Sequence, residues 1–142
     1  MHRKTKGTTK LTKKEPEKNL LVSLKKYAGR NREGKITIRH RGGGSRKIYR
    51  RVEFGQKYLD VPGKVIALEY DPNRNAHIAL VEYSSGAKAY ILAANKVKEG
   101  DDVLASPKTE LTVGNRMKLK NIPAGTLIHN IELIPGRGGR MA

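Results

Sequence analysis

The sequence predicts an all-β fold: a small five-stranded OB-like barrel that carries a long basic N-terminal extension. Two observations predict the barrel. From residue 63 onward, short runs of β-branched and aromatic residues alternate with turns built on Pro, Asn and Gly, and no amphipathic helix of useful length interrupts them. Five short strands are typical of the OB arrangement. A six-stranded SH3-like barrel is the alternative.

The distribution of charge predicts the extension. Residues 1–57 carry 19 Lys and Arg against 4 Asp and Glu, whereas residues 58–142 carry 11 against 9. Nearly all of the net charge of +17 therefore lies in the first two fifths of the chain. A block of positive charge beside a nearly neutral domain is typical of a protein that binds a polyanion, most often nucleic acid.

The basic extension is expected to span residues 1–35. Residues 1–19 are polar and rich in Lys, so we expect an arm without a hydrophobic core of its own. An apolar cluster at 20–24 is expected to anchor this arm. The glycines and the asparagine of 27–35 then indicate a turn-rich connector.

Residues 36–134 are expected to form the OB-like RNA-binding domain, which begins with a basic segment that leads into the barrel. Strand-like runs lie at 36–40, 47–54, 63–70, 76–83, 87–93, 101–106 and 126–133, and the last five make up the predicted barrel. The runs 65–68 and 78–81 are apolar at odd and at even positions alike, so we expect these strands to be packed on both faces. Residues 135–142 form a Gly/Arg tail at a domain junction, either disordered or extended along RNA.

The segment 39–51, RHRGGGSRKIYRR, is the strongest candidate for chemistry. Its Arg side chains can bind phosphate oxygens in forks or stack on bases, and glycine lets the backbone approach a phosphate closely. The predicted RNA contacts are Arg39, His40, Arg41, Gly42, Gly43, Gly44, Ser45, Arg46, Lys47, Tyr49, Arg50 and Arg51. Tyr49 either stacks on a base or packs inward. A flexible basic loop without a specific partner is the alternative.

Catalytic and metal-binding functions find no support in the sequence. The chain has no Cys, and its His residues stand at 2, 40, 77 and 129, without metal-ligand spacing. The Gly triplet is followed by Ser45-Arg46, which does not fit a Walker loop. No apolar run approaches the length of a membrane span. We therefore expect no enzyme activity, no cofactor, no small-molecule substrate and no membrane partner.

The chain resembles the front half of the ribosomal protein family uL2 (L2) of the large subunit, in its bacterial or organellar form. The resemblance rests on RHRGGG, EYDPNR and NIPAGTLIHNIE, within matching stretches at 12–21, 24–50, 67–80, 90–101 and 113–139. It implies an OB-like barrel bound to large-subunit rRNA, which helps to fold that RNA and supports subunit association and the peptidyl-transferase region. By motif match it adds rRNA contacts at Arg30, Asn31, Arg32, Asn73, Arg74, Asn75, Arg137, Gly138, Gly139 and Arg140.

The resemblance also implies the partners and the location. These are large-subunit rRNA and neighbouring ribosomal proteins, on a ribosome in a bacterial cytoplasm, a mitochondrion or a plastid. Mg²⁺ is expected only as an ion bound by the rRNA. Two departures matter: Ser45 stands where the family commonly has His, and members continue into a second, SH3-like barrel. Hence the chain is expected to be a fragment, half of a split protein with a separate C-terminal chain, or an engineered minimal domain. A free-standing OB-type module that binds single strands in translation or stress is the alternative function.

Overall fold

The computed structural model describes residues 11–12, 15–42, 44–45, 47–55 and 57–141. Its strands are β1 (Leu21–Ser23), β2 (Ile48–Arg50), β3 (Gly63–Asp71), β4 (Ala76–Tyr83), β5 (Lys88–Leu92) and β6 (Asp102–Val103). Strands β5, β4, β3 and β6 form one curled antiparallel sheet, in that order, and β1 pairs with β2 in a separate ribbon. The helical elements of this described part are two short 3₁₀ turns, Lys18–Leu20 and Leu119–Asn121, and neither is long enough to cross a membrane.

The β3–β4 hairpin is the centre of the fold. Its register runs from Gly63 opposite Tyr83 to Asp71 opposite Ala76, with a bulge between Val65 and Ala67. One face of the sheet packs a cluster around Val65, Leu68, Val81, Ile91, Val97 and Val103. The other face buries Ala67, Ile78, Leu80 and Tyr90. The prediction that these strands are packed on both faces is therefore confirmed.

The described part of the extension covers the second face of the sheet. Leu20 packs against the cluster around Tyr90. The Tyr90 hydroxyl donates a hydrogen bond to Glu69 Oε1 (2.8 Å) and accepts one from the Glu17 N–H (2.9 Å). The Thr12 N–H donates to the Leu68 carbonyl (2.9 Å), at the edge of β3. Described residues of the predicted extension thus pack against and hydrogen-bond to the sheet, whereas residues 1–10, 13 and 14 lie outside the described residues.

The strand predicted at 36–40 is wrong, because this segment is a loop. The Thr37 and Ile38 N–H groups both donate to the Gly29 carbonyl, so they are not available to a neighbouring strand. His40 has a φ of +61°, which ends the extended conformation. The strand predicted at 47–54 shortens to Ile48–Arg50, which pairs with β1 and not with the main sheet.

The five-stranded barrel is also corrected: the main sheet has four strands. The fifth strand predicted at 126–133 does not form, and Leu127 in its middle is 98% exposed. Asn130, at a φ of +54°, turns the backbone, and only Ile131 makes a bridge, with Met141. The strand predicted at 101–106 is confined to Asp102–Val103. Parallel bridges from Ala105 to Leu59 and Arg116 replace regular strand pairing there.

Ionisation of Tyr83 makes this core less stable at alkaline pH. Burial, reinforced by the nearby Glu53 carboxylate, raises the pKa of Tyr83 from 10.0 to about 12. Its ring lies against that of Tyr58, with centroids 4.4 Å apart. Below pH 10 the protonated Tyr83 phenol makes its full contribution to the free energy of unfolding. Between pH 10 and 12 the unfolded phenol loses its proton while the folded one keeps it, so stability is lost as the pH rises.

We expect the free energy of unfolding, measured by urea titration, to fall between pH 10 and 12. The fall should be smaller in Tyr83→Phe, which keeps the ring and removes the phenol. Part of the fall should remain, because burial also raises the pKa of Tyr90. An identical pH profile in wild type and variant would contradict this prediction.

Candidate nucleic-acid interface

Residues 27–42, here called the basic loop, fold back on themselves around one carbonyl. The Gly29 oxygen accepts hydrogen bonds from the Thr37 N–H (2.8 Å), the Ile38 N–H (3.1 Å) and the Thr37 hydroxyl (3.1 Å). Arg30 and Ile36 form an antiparallel bridge across the loop. These bonds fix the shape of a segment whose side chains from residue 30 to 42 are all exposed.

Asn31 shapes the tip of the basic loop. Its Oδ1 accepts hydrogen bonds from the Glu33 N–H (3.0 Å) and the Lys35 N–H (2.9 Å), and its own N–H donates to the Lys35 carbonyl (2.9 Å). This is the role that Asn commonly has in a turn. The predicted rRNA contact at Asn31 stays a prediction, and its oxygen is occupied within the loop.

Gly29 is required where the loop closes. It has a φ of +67°, and a Cβ there would lie 2.4 Å from the Ile38 carbonyl oxygen. We expect Gly29→Ala to open the loop and to lower the hydrogen-exchange protection of the Thr37 and Ile38 amides by about an order of magnitude or more. Gly34→Ala is the matched control, since Gly34 also has a positive φ (+81°) but no atom within 4 Å of its Cβ position. Equal protection in the two variants would refute the closing role.

The arginines of the basic loop have no carboxylate partner among the described residues. Arg30, Arg32, Arg39 and Arg41 are exposed, and among the described residues no carboxylate lies within 4.0 Å of them. Lys35 meets Glu33 at 3.6 Å, but both side chains are more than 70% exposed and the pair is weak. The loop therefore presents uncompensated positive charge to solvent, as a phosphate-binding surface does.

A groove runs between the two sides of the basic loop. It is open to solvent, has a volume of about 540 Å³ and is lined by Ala28, Arg30, Ile36, Ile38, Arg39, His40, Arg41 and Gly42. Ile36 is 66% exposed and Ile38 is 50% exposed. The structure thus brings five predicted contact residues, Arg30 and the run 39–42, together around two exposed isoleucines. These isoleucines were not expected at the surface, because the alternation of 36–40 assigned them to a strand.

Arg74 is held inside the protein. Its Nη1 donates to the Asp71 carboxylate and to the Arg50 carbonyl (3.2 Å), and its Nη2 donates to the Tyr49 hydroxyl. The guanidinium carbon lies 4.6 Å from the centroid of the Tyr49 ring and 5.6 Å from that of Phe54. We call this arrangement the Arg74 clamp. It fastens β2 to the β3–β4 turn. Arg74 therefore positions the C-terminal end of the segment 39–51.

The other residues of the β3–β4 turn are also bonded locally. The Asn73 side chain donates to the Ile48 carbonyl (2.9 Å), and the Asn75 Oδ1 accepts a hydrogen bond from the Tyr70 hydroxyl. Lys47 Nζ donates to the Pro72 carbonyl (3.2 Å). The Asn73–Ile48 and Lys47–Pro72 contacts tie the turn to the residues around β2.

The remaining residues of 39–51 divide by exposure. Gly42, Gly44, Ser45 and Arg51 are exposed, and Gly43 and Arg46 lie outside the described residues. Arg50 is half-buried, and its Nη1 donates to the Ile48 carbonyl (3.1 Å). Exposed members of this run remain free to approach a polyanion, whereas Arg50 and Tyr49 pack against the domain.

The described residues of the Gly/Arg tail, 135–141, dock on the protein. Gly138 and Gly139 are buried, and the Phe54 carbonyl accepts hydrogen bonds from the Gly139 N–H (3.3 Å), Asn130 Nδ2 (3.3 Å) and Arg116 Nη1 (2.6 Å). A Cβ on Gly139 would lie 1.9 Å from Asn130 Oδ1. These glycines serve close packing, while Arg137 and Arg140 remain exposed.

The hub around Phe54 was missed by the sequence analysis. Arg116 completes it with an ion pair to Glu132 Oε1 (2.6 Å). A main-chain carbonyl that gathers three distant donors has no signature in the sequence. In the described part of the chain, no three His, Cys, Asp or Glu side chains come close enough to hold a metal ion.

Comparison with known families adds one finding to this geometry. A family model described as "Ribosomal Proteins L2, RNA binding N-terminal domain" matches residues 17–105. The match covers more than half of the chain. It includes the basic loop, both strands of the ribbon, the Arg74 clamp and the whole four-stranded sheet.

Proposed function

Because the chain belongs to the ribosomal L2 family, through its RNA-binding N-terminal domain, we propose that it is a structural component of the large ribosomal subunit that binds large-subunit rRNA through the basic loop and residues 39–51. The family is one of structural RNA-binding proteins, not of enzymes. The observation that carries the proposal is the set of exposed, uncompensated Arg side chains on a loop of fixed shape. Such a loop offers the RNA both positive charge and a fixed arrangement of that charge.

The mechanism joins charge neutralisation to positioning. Each phosphate bound by Arg releases condensed counterions, which favours binding and makes it salt-dependent. Arginine forks also bind phosphate oxygens with defined geometry. The Arg74 clamp holds Tyr49 and the Arg50 backbone against the β3–β4 turn, at the C-terminal end of the run 39–51. The domain therefore anchors this run, and the exposed arginines of the basic loop bind the RNA.

The finer parts of the proposal follow from the family. We propose that binding helps to fold the rRNA and supports subunit association and the peptidyl-transferase region. Neighbouring ribosomal proteins, and a chain that carries the C-terminal half, are the expected protein partners, with Mg²⁺ present only as an rRNA-bound ion. The expected location is a ribosome in a bacterial cytoplasm or in an organelle.

The burial of the tyrosines argues against a free-standing single-strand module. Such modules stack successive bases on exposed aromatic side chains. Tyr90 is fully buried and Tyr83 is 5% exposed, while Tyr49 is engaged with Arg74. Tyr27 and Tyr70 are exposed, but they lie on different elements, the basic loop and β3, and do not form a row along one strand.

A competition experiment tests the proposed function. The chain is bound to large-subunit rRNA, with small-subunit rRNA, tRNA and poly(U) as competitors, while salt is raised to about 0.15 M. We expect binding that remains selective for large-subunit rRNA at the highest salt. Equal displacement by all three competitors would overturn the proposal, because it would leave only non-specific charge.

A further inference from the structure

The groove of the basic loop combines two surfaces that a purely phosphate-binding loop does not need. Its lining includes Ile36 and Ile38, both at least half exposed. The same lining includes Arg30, Arg39 and Arg41. Phosphates would account for the arginines but not for the isoleucines, since an apolar side chain gains nothing from contact with a charged oxygen.

The backbone of the groove is held by hydrogen bonds within the basic loop. The Gly29 carbonyl holds the Thr37 and Ile38 N–H groups, and the Arg30–Ile36 bridge joins the opposite side. The two isoleucines are therefore fixed on a backbone with little freedom. Preorganisation of this kind lowers the entropic cost of binding.

We propose that this groove takes a single unstacked nucleobase of the RNA, with the phosphates on either side of that base bound by the arginines that line the groove. This inference rests on the proposed function and names the form of RNA recognised: a bulged or flipped-out nucleotide, not a continuous helix. In an A-form helix the major groove is too narrow for side chains to read, whereas unpaired bases offer their faces to apolar, aromatic and guanidinium groups.

The size and the charge of the groove favour this occupant. A volume of about 540 Å³ lies within the range of about 300–1,000 Å³ typical of small-ligand sites. His40 is also a lining residue, and an imidazole can stack on a base. A base flanked by two phosphates matches a lining that combines apolar and cationic side chains. An acidic peptide with one apolar side chain has similar complementarity and serves as the competing occupant in the test.

The test uses two RNA hairpins of equal length, one fully paired and one with a single bulged 2-aminopurine, at about 0.05 M salt. We expect the full chain to bind the bulged hairpin about tenfold more tightly and to change its 2-aminopurine fluorescence. The double variant Ile36→Thr/Ile38→Thr should lose that preference while keeping the wild-type salt slope. Leu127→Thr is the control, because Leu127 is 98% exposed and lies outside the groove.

Several results would overturn the inference. One is equal affinity of the wild-type chain for the two hairpins without a fluorescence change, a readout that needs no variant. Another is an equal loss of affinity for both hairpins in the double variant. A third is that an acidic peptide with one apolar side chain occupies the groove and the bulged RNA does not. If the double variant bound large-subunit rRNA selectively and as tightly as wild type, the groove would not be a base-binding site, and the proposed function would remain intact.

Discussion

Asp71→Ala is expected to destabilise the domain by about 3–5 kcal/mol. Asp71 is fully buried, pairs with the Arg74 guanidinium and accepts a hydrogen bond from the Asn73 N–H (2.8 Å). Removal of the carboxylate leaves the partly buried Arg74 cation without its counter-charge and frees the end of the β3–β4 hairpin. Urea unfolding at pH 7 measures the change.

The exposed pair Lys35–Glu33 is the matched control for the Asp71 pair. Its atoms are 3.6 Å apart, but its side chains are 79% and 71% exposed. Glu33→Ala should therefore change the free energy of unfolding by only about 0–1 kcal/mol. If the two variants were equally stable, the Arg74 clamp would have no structural role. If Asp71→Ala were destabilised but bound rRNA as tightly as wild type when folded, the clamp would not position the basic segment.

Replacing Arg30, Arg39 and Arg41 together by alanine is expected to cause the largest change in RNA binding. The three side chains are exposed and line one groove. Each lost phosphate contact lowers the salt slope by about 0.7–0.9, so the slope should fall by roughly two or more. Filter binding to large-subunit rRNA across a salt series measures both the affinity and the slope.

The control for this variant removes the same charge elsewhere. Lys98, Lys108 and Lys120 are exposed and lie outside the basic loop. Their triple replacement by alanine lowers the net charge equally, and we expect a clearly smaller change in slope. Equal slopes for the two triple variants would show that the chain binds through its overall charge. Unchanged thermal unfolding of both variants ensures that folding does not explain the result.

The hairpins of the sheet were predictable because their signals are local. The runs predicted at 63–70, 76–83 and 87–93 correspond to β3, β4 and β5, since β-branched pairs and a Pro-Asn or Gly turn decide a hairpin within some twenty residues. The segments 36–40 and 126–133 have the same alternation. They fail as strands because no neighbouring strand accepts their hydrogen bonds, a tertiary condition that alternation cannot reveal.

The candidate site was predictable in its charge and not in its geometry. Composition alone predicts that the basic residues of 1–57 bind a polyanion. The sequence does not show that Arg74 turns inward, because its partners Tyr49 and Arg50 lie some 25 residues away and meet it only through the pairing of β2. The burial of Gly139 against Asn130 is equally a product of packing. The packing of Leu20 against the cluster around Tyr90, and the Thr12–Leu68 hydrogen bond, likewise depend on contacts with distant strands.

Photo-crosslinking of the chain to large-subunit rRNA, followed by mass spectrometry of the crosslinked peptides, tests the central claim most directly. The account places the RNA on the basic loop and on the exposed residues of 39–51, while the Arg74 clamp and the Phe54 hub face inward. It therefore predicts that crosslinks concentrate in residues 27–51. Crosslinks concentrated at 71–75 and 136–140, with none in 27–51, would contradict it.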